Sequence, residues 1–191
     1  TGGEHATGFN LFSRPYLQQA LHGRANVYAA QGRRTHVRGL YFTAPLHEGE
    51  DASSAVIGAV VLKSSFVPID ALLLRSGMTM LLLSPEGVAF AATRPEWQYA
   101  MRAPLSQERI DAVRALGQFG NHFDNNQAQA LPFTQEAQQA QICGKPYAIV
   151  RQDIAWNDPG GPWRLVALDD VSALVPPALR WLELPHGVKV E

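Results

Sequence analysis

Apolar positions recur along the chain in two rhythms, one of helical and one of strand period. Ser13 reads as an N-cap and Pro15 sits in the first turn, where a missing N–H costs nothing. Leu17, Ala20 and Leu21 follow at i, i+3 and i+4, and Gly23 stands where a C′ glycine belongs. This spacing predicts a short amphipathic helix over 14–22. Strand-like runs come next at 25–30, 39–46 and 55–64. The last is almost wholly apolar and rich in β-branched residues, so it is expected as a central strand. Residues 48–54 read as a polar hairpin loop.

A second group begins after Phe66. Residues 67–76 read as helical despite Pro68. Residues 78–83 form a strand pattern, Ser84-Pro-Glu-Gly87 a turn, and 88–92 a returning strand. Trp97 is expected as a plug over the core of this second group. Ser106 caps a helix that carries Ile110, Val113 and Leu116 on one face and stops at Gly117. Residues 121–141, rich in Asn, Gln and Ala, read as a solvated loop followed by a polar helix. Two more strands, 145–156 and 163–168, flank an Asn-Asp-Pro-Gly-Gly-Pro loop. Val171, Leu174, Val175, Ala178, Leu179 and Leu182 then mark one helical stripe, interrupted by Pro176-Pro177. Hairpins with helices between groups make an α+β pattern rather than regular βαβ alternation. Two antiparallel-sheet modules are expected: 1–65, 66–182 and a tail at 183–191.

At 191 residues the chain can bury a core without metals or disulfides, and its single cysteine, Cys143, can make no internal disulfide. The net charge of −1 splits into +2 over residues 1–65 and −3 over 66–191. Such a balance excludes a strongly basic nucleic-acid binder and an acidic disordered tail. The longest apolar run, 56–62, is far short of the roughly 20 residues of a membrane helix. The chain begins with neither Met nor a signal peptide, so Thr1 is expected to be an internal cut in a longer protein.

Enzyme signatures are sparse. There is no nucleophile elbow, no P-loop and no glycine-rich dinucleotide turn. The six histidines are scattered, with no i, i+4 pair for a metal. His47-Glu-Gly-Glu50 reads as a solvated loop, Cys143 as a small hydrophobe, and Asp169-Asp170 as an N-cap for the apolar stripe. No catalytic residue, cofactor or metal is expected.

The cations of the first group are more informative. Arg14 opens the first helix, Arg33 and Arg34 lie between two strands, Arg38 begins the next strand, and Lys63 closes an apolar run. A lysine there needs a partner or an exit to water. Converging, these side chains make an anion pocket, with Arg forks and a Lys point charge gripping carboxylate. Diverging, each snorkels from its own strand end. Tyr16, Tyr28, Thr35 and Tyr41 could line such a pocket or serve as ordinary half-buried packing.

At this level the chain resembles a known family. Arg14-Pro-Tyr-Leu-Gln-Gln-Ala-Leu-His-Gly23 is similar to the R-P-Y-F-Q-Q-A-x-x-G helix of double Cache (tandem PAS-like) extracytoplasmic sensor domains, closest to the C4-dicarboxylate sensor histidine kinases. Arg38-Gly-Leu-Tyr-Phe-Thr-Ala-Pro45 matches R-G-Y-Y-F-x-x-P, and Ile57-Gly-Ala-Val-Val-Leu-Lys63 matches I-G-V-V-V-V-K. Ser84-Pro-Glu-Gly-Val-Ala-Phe90, Arg94-Pro-Glu-Trp97 and Pro104-Leu-Ser106 follow in family order. The ordered set covers roughly 9–171.

The resemblance implies a periplasmic ligand-sensing domain of an inner-membrane receptor, with no enzymatic activity of its own. Flanking segments outside this chain would hold it to the membrane, and the full receptor would be a homodimer. A small organic acid would bind in the membrane-distal first module. The matched positions implicate Arg14 and Lys63 as carboxylate binders, with Thr35 and its neighbours contributing and Arg38 in a matching position. Tyr16, Tyr28 and Tyr41 complete the candidate lining. The output module, a histidine kinase, a diguanylate cyclase or a chemotaxis receptor, would lie outside this chain. Two departures bear on the ligand. The family's G-T-T-S loop is Gly32-Arg-Arg-Thr35 here, and the aromatic three residues before the helix arginine is Leu11. Arg33 and Arg34 would then select a bulkier or more charged acid, or fill the pocket. The latter leaves a Cache domain that answers to a protein partner or to dimerisation. A third departure is length: only 13 residues precede Arg14, so the first module is expected to be cut short at its N-terminal end.

Overall fold

The computed structural model describes residues 11–32, 35–49, 51–125, 127–134 and 136–172. Two antiparallel sheets carry the chain. Helix α1 (Pro15–Leu21) leads into strands β1 (Asn26–Gln31), β2 (Arg38–His47) and β3 (Val56–Ser65), which form a three-stranded meander. Helix α2 (Val67–Arg75), β4 (Thr79–Leu83), β5 (Ala89–Ala92), a 3₁₀ turn (Pro95–Trp97), α3 (Gln107–Leu116), β6 (Gln139–Ile142), β7 (Lys145–Ile154) and β8 (Trp163–Asp170) follow. The second sheet has the order β5-β4-β8-β7-β6. This is the expected α+β arrangement of hairpins and interposed helices.

Period-two alternation divides the second sheet between two cores. Leu82, Phe90 and Trp163 face a cluster shared with α2, α3, Phe66 and the first-sheet residues Ala29 and Leu40. Leu81, Leu83, Val166 and Leu168 face the other way, onto Trp97, Leu131 and Phe133. Burial on both faces explains why β4 reads as an unbroken apolar run. Trp97 is 4% exposed and meets Phe133 edge-on, as the plug reading requires.

Local signals acted where their partners are local. Ser106 Oγ accepts from Arg109 N at 3.3 Å, and Gly117 closes α3 at φ 57°. Pro68 lies in the first turn of α2, so its missing N–H interrupts nothing. Three readings are corrected. The N-cap of α1 is Arg14, one residue past Ser13, and no side chain caps the helix. The polar helix expected within 121–141 does not occur among the described residues there: Gln139–Ile142 is strand β6, folded onto β7 through Cys143 and Gly144. Both turn residues have positive φ (52° and 74°), which matches the right-handed twist of a two-residue hairpin. The third correction concerns β3. Among the described residues it pairs only with β2, so it is an edge strand, and Ile57, Val60 and Leu62 are 60%, 58% and 65% exposed. The apolar run records a surface that needs covering, not one covered here.

Asp169 and Asp170 end β8, where Asp170 accepts from Ser172 N at 2.9 Å and pairs with Lys145 at 3.4 Å. The helical stripe they were expected to cap runs from Val171 to Leu182, and its part from 173 onward lies outside the described residues.

Candidate functional site

The two faces of the first sheet differ in character. Tyr28 lies directly opposite Tyr41, and Tyr41 directly opposite Lys63, so all three side chains share one face. Helix α1 covers this face. The Tyr16 ring stacks on Tyr41 (centroids 5.3 Å, 17° between planes) and leans on Tyr28 at 5.5 Å. Tyr16 and Tyr28 are buried.

Lys63 lies across the strand pair. A Cβ on Gly39 would come within 2.9 Å of Lys63 Cε, so the absence of a side chain there opens the path of the stem. The ammonium ends 5.5 Å from the Tyr41 ring centroid and donates to Thr35 Oγ1 at 3.3 Å. Gly32 borders the same spot: a Cβ there would stand 2.5 Å from Thr35 Oγ1, 3.1 Å from Lys63 Nζ and 3.5 Å from the Tyr41 hydroxyl. Arg14, at the N-cap of α1, donates to the Gly117 carbonyl at 3.4 Å. Burial raises the Tyr16 hydroxyl pKa, and the Arg14 charge partly opposes the rise. Tyr28 is raised further, first by burial and then by the Asp158 and Glu86 charges. Tyr16 and Tyr28 are therefore neutral.

Beside the expected Tyr28, the site carries polar residues that the sequence did not point to: Asn26, Thr43 and Gln19. Tyr28 Oη, Thr43 Oγ1, Asn26 Oδ1 and the α1 atom Gln19 Oε1 are buried with no hydrogen-bond partner among the described residues. The Asn26 amide is oriented by its own donors, since Nδ2 gives to Tyr16 O at 2.9 Å and to Arg24 O at 3.3 Å. Each such orphan costs about 1–3 kcal/mol. Asn26 sits directly opposite Thr43 in the register, two residues from Tyr28 and Tyr41. That shared parity was the available signal.

Arg38 is not brought into this group. It is three residues from Tyr41, and an odd separation along a strand sends it through the sheet. Its guanidinium grips Asp70 through both nitrogens (3.2 and 2.8 Å), donates to Phe90 O at 2.7 Å, and lies over the Phe66 ring. This ties the first sheet to α2 and β5. We expect Asp70→Ala to destabilise the protein by about 1–3 kcal/mol in urea unfolding, because Arg38 loses its half-buried counter-charge. A fall in carboxylate affinity in that variant would instead draw Arg38 into ligand binding. Arg33 and Arg34 lie outside the described residues. The opposite face of the sheet also holds a concavity, about 410 Å³ and mainly apolar, among Val27, Phe42, Val60, Leu62 and Trp156.

No family model and no curated protein matches the chain. Solved structures do. The sensor domain of the Vibrio cholerae histidine kinase DctB superposes with a TM-score of 0.66 at 19% identity, over 85% of this chain and 62% of that one. The ligand-binding domain of the Pseudomonas aeruginosa amino acid chemoreceptor PctC, in complex with GABA, gives 0.54 at 13% identity, over 88% and 66%. That of the Pseudomonas fluorescens chemoreceptor CtaA, in complex with L-serine, gives 0.53 at 14%, over 88% and 65%. This chain has the fold of ligand-binding sensor domains. It spans less than two thirds of the length of each of these three structures. No helix among the described residues is long and apolar enough to cross a membrane.

Proposed function

We propose that this chain is the extracytoplasmic sensing region of a bacterial membrane receptor and binds a small carboxylate between α1 and the first sheet. In this reading it is a periplasmic double Cache domain of a homodimeric receptor, divided near Phe66, and catalyses nothing itself. The observation that carries the proposal is the meeting of Lys63, Thr35, Tyr41 and Gly32 beside buried hydroxyl and amide groups that have no partners among the described residues. A carboxylate supplies acceptors for cations and hydroxyl donors together, and its charge is matched by Lys63 and Arg14. Thr35, Tyr41 and Tyr28 would orient it, and Tyr16 would pack against it. Closure of α1 on the ligand would be the signal, provided the closed form binds it more tightly.

The orphaned amide oxygens Asn26 Oδ1 and Gln19 Oε1 favour a second reading within the same class. Both are acceptors, and both would suit the ammonium of an amino acid, as in the ligands bound to PctC and CtaA. Calorimetry with succinate, L-malate, GABA and L-serine separates the two. Lys63→Ala should weaken whichever acid binds by about tenfold or more, the worth of a charged hydrogen bond. Tyr28→Phe should leave unfolding stability unchanged or higher, since its hydroxyl has no partner among the described residues, while lowering affinity about tenfold. If none of these acids binds and the melting temperature never moves, a domain acting through a protein partner is the surviving reading.

A further inference from the structure

The second sheet encloses a cavity of about 190 Å³ that shares no lining residue with α1 or the first sheet. Its floor is apolar: Leu83, Leu131, Phe133 and Val166 are all at least nine-tenths buried. The charged residues of its lining are all cations, Arg102, Arg151 and Arg164, set among uncharged turn residues. Three arginines around so small a space is a costly arrangement. Burial and the charges of Arg109 and Arg164 push the Arg102 pKa down, and burial with Arg164 does the same to Arg151.

The three differ in how far they are already engaged. Arg164 Nε is bound to Asp153 at 2.7 Å, and Arg151 donates to the carbonyls of Thr134 and Ala137 at 3.3 and 2.5 Å. Arg109, just outside, gives its guanidinium to the carbonyls of Arg102, Pro104 and Glu86. The backbone of Arg102 is paired, its N–H with Gly87 O at 2.8 Å and its carbonyl with Arg109, but its guanidinium has no hydrogen-bond or ion-pair partner among the described residues. Its stem and guanidinium lie over Gly87, where a Cβ would approach Arg102 Cβ at 3.0 Å and Nε at 3.3 Å. Of the acids nearby, Asp153 is spent on Arg164, the exposed Glu136 reaches the cluster only through space, and Glu86 and Asp158 stand beside Gly160, where a Cβ would meet Glu86 Oε1 at 2.9 Å and Asp158 Oδ1 at 3.3 Å. None of them bonds to the Arg102 side chain, so the wall keeps one guanidinium fork without an acceptor among the described residues.

We propose that this cavity is a second anion site, which takes a small monocarboxylate with its carboxylate on Arg102 and its short apolar tail on Leu131, Phe133 and Val166. The volume is below the roughly 300 Å³ at which drug-sized pockets begin, so the ligand has only a few heavy atoms. The apolar floor offers nothing to a second charged end, which sets this site apart from the one under α1. Occupancy would relieve repulsion among Arg151 on β7, Arg164 on β8 and Arg102 in the segment before α3.

Propionate is a suitable probe, with inorganic phosphate as an anion lacking a tail. Both are titrated by calorimetry into protein carrying Lys63→Ala, so that failure here is distinct from failure of the site under α1. Propionate should bind, and Arg102→Gln should weaken it by about tenfold or more. Arg102→Gln should also raise the melting temperature without ligand, because it removes one of the repelling charges. Saturation transfer to the propionate methyl group, read on the Lys63→Ala protein, tests separately whether the tail is buried. Absence of propionate binding at millimolar concentration, affinity unchanged in a folded Arg102→Gln protein, or phosphate binding as well as propionate would each overturn the assignment.

Discussion

Phe90→Ala is expected to destabilise the protein by about 3–5 kcal/mol, the cost of emptying a large aromatic site in a packed core. Phe90 is fully buried, and four rings surround it edge-on: Phe66 at 4.9 Å, Trp163 at 5.6 Å, Phe119 at 6.1 Å and Tyr99 at 6.3 Å. Phe66 follows β3, Trp163 opens β8, and Phe119 lies just beyond α3, so one side chain holds three parts of the chain together. The Arg38 guanidinium also lies 5.7 Å from its ring. Against a typical domain stability of about 5–15 kcal/mol, the loss is a large share of the total. Urea unfolding should show a lower midpoint with an unchanged slope. Phe90→Leu, which refills most of the volume, should recover most of the difference. A loss under about 1 kcal/mol for the alanine variant would mean that the ring cluster is not a shared core.

Stability should also fall as pH rises from about 4 to about 6, by about 3 kcal/mol, through Asp158 alone. Asp158 is 7% exposed, and burial pushes its pKa from 3.8 up to about 6, against the opposing hydrogen bonds from Trp163 Nε1 (2.9 Å) and Gly160 N (2.8 Å). The folded state therefore keeps a proton that the unfolded chain has released. Its contribution is complete below the unfolded value and is lost as pH climbs through the folded one. Asp153 and Asp170 have lowered values, so their effects run the other way and lie below about pH 4. Asp158→Asn removes the titration and turns an amide N–H toward one of the two donors. Its absolute stability therefore shifts, but the slope between pH 4 and 6 should vanish. A slope that survives the substitution would assign the effect to other groups.

The legible parts of the fold share a physical basis. Hairpins, the capped α3 helix and the doubly buried β4 rest on residues within a few positions of one another, and periodicity reports these directly. The strand β6 escaped because Gln-Ala-Gln-Ile has little apolar contrast, and its state is decided by pairing with β7 across the Cys143–Gly144 turn. The edge position of β3 escaped for the converse reason. An apolar run shows what a strand could bury, and only the sheet order shows whether a neighbour is there.

For the candidate site, residue types were informative and directions were not. Tyr41 and Lys63 were brought together with Thr35, while Arg38, drawn from the same strand by its charge, turned to Asp70. Alternation alone was enough to separate Arg38 from Tyr41.

What the amino-acid order determined by itself is the supply of local elements and the pool of cations and hydroxyls in the first third of the chain. Tertiary structure alone decided that Arg102, Arg151 and Arg164 line one cavity, that Asp158 is buried, and that Tyr28 and Thr43 lack partners among the described residues. Those outcomes depend on contacts between residues tens of positions apart. Their energies come from desolvation and charge proximity, which have no period in the sequence.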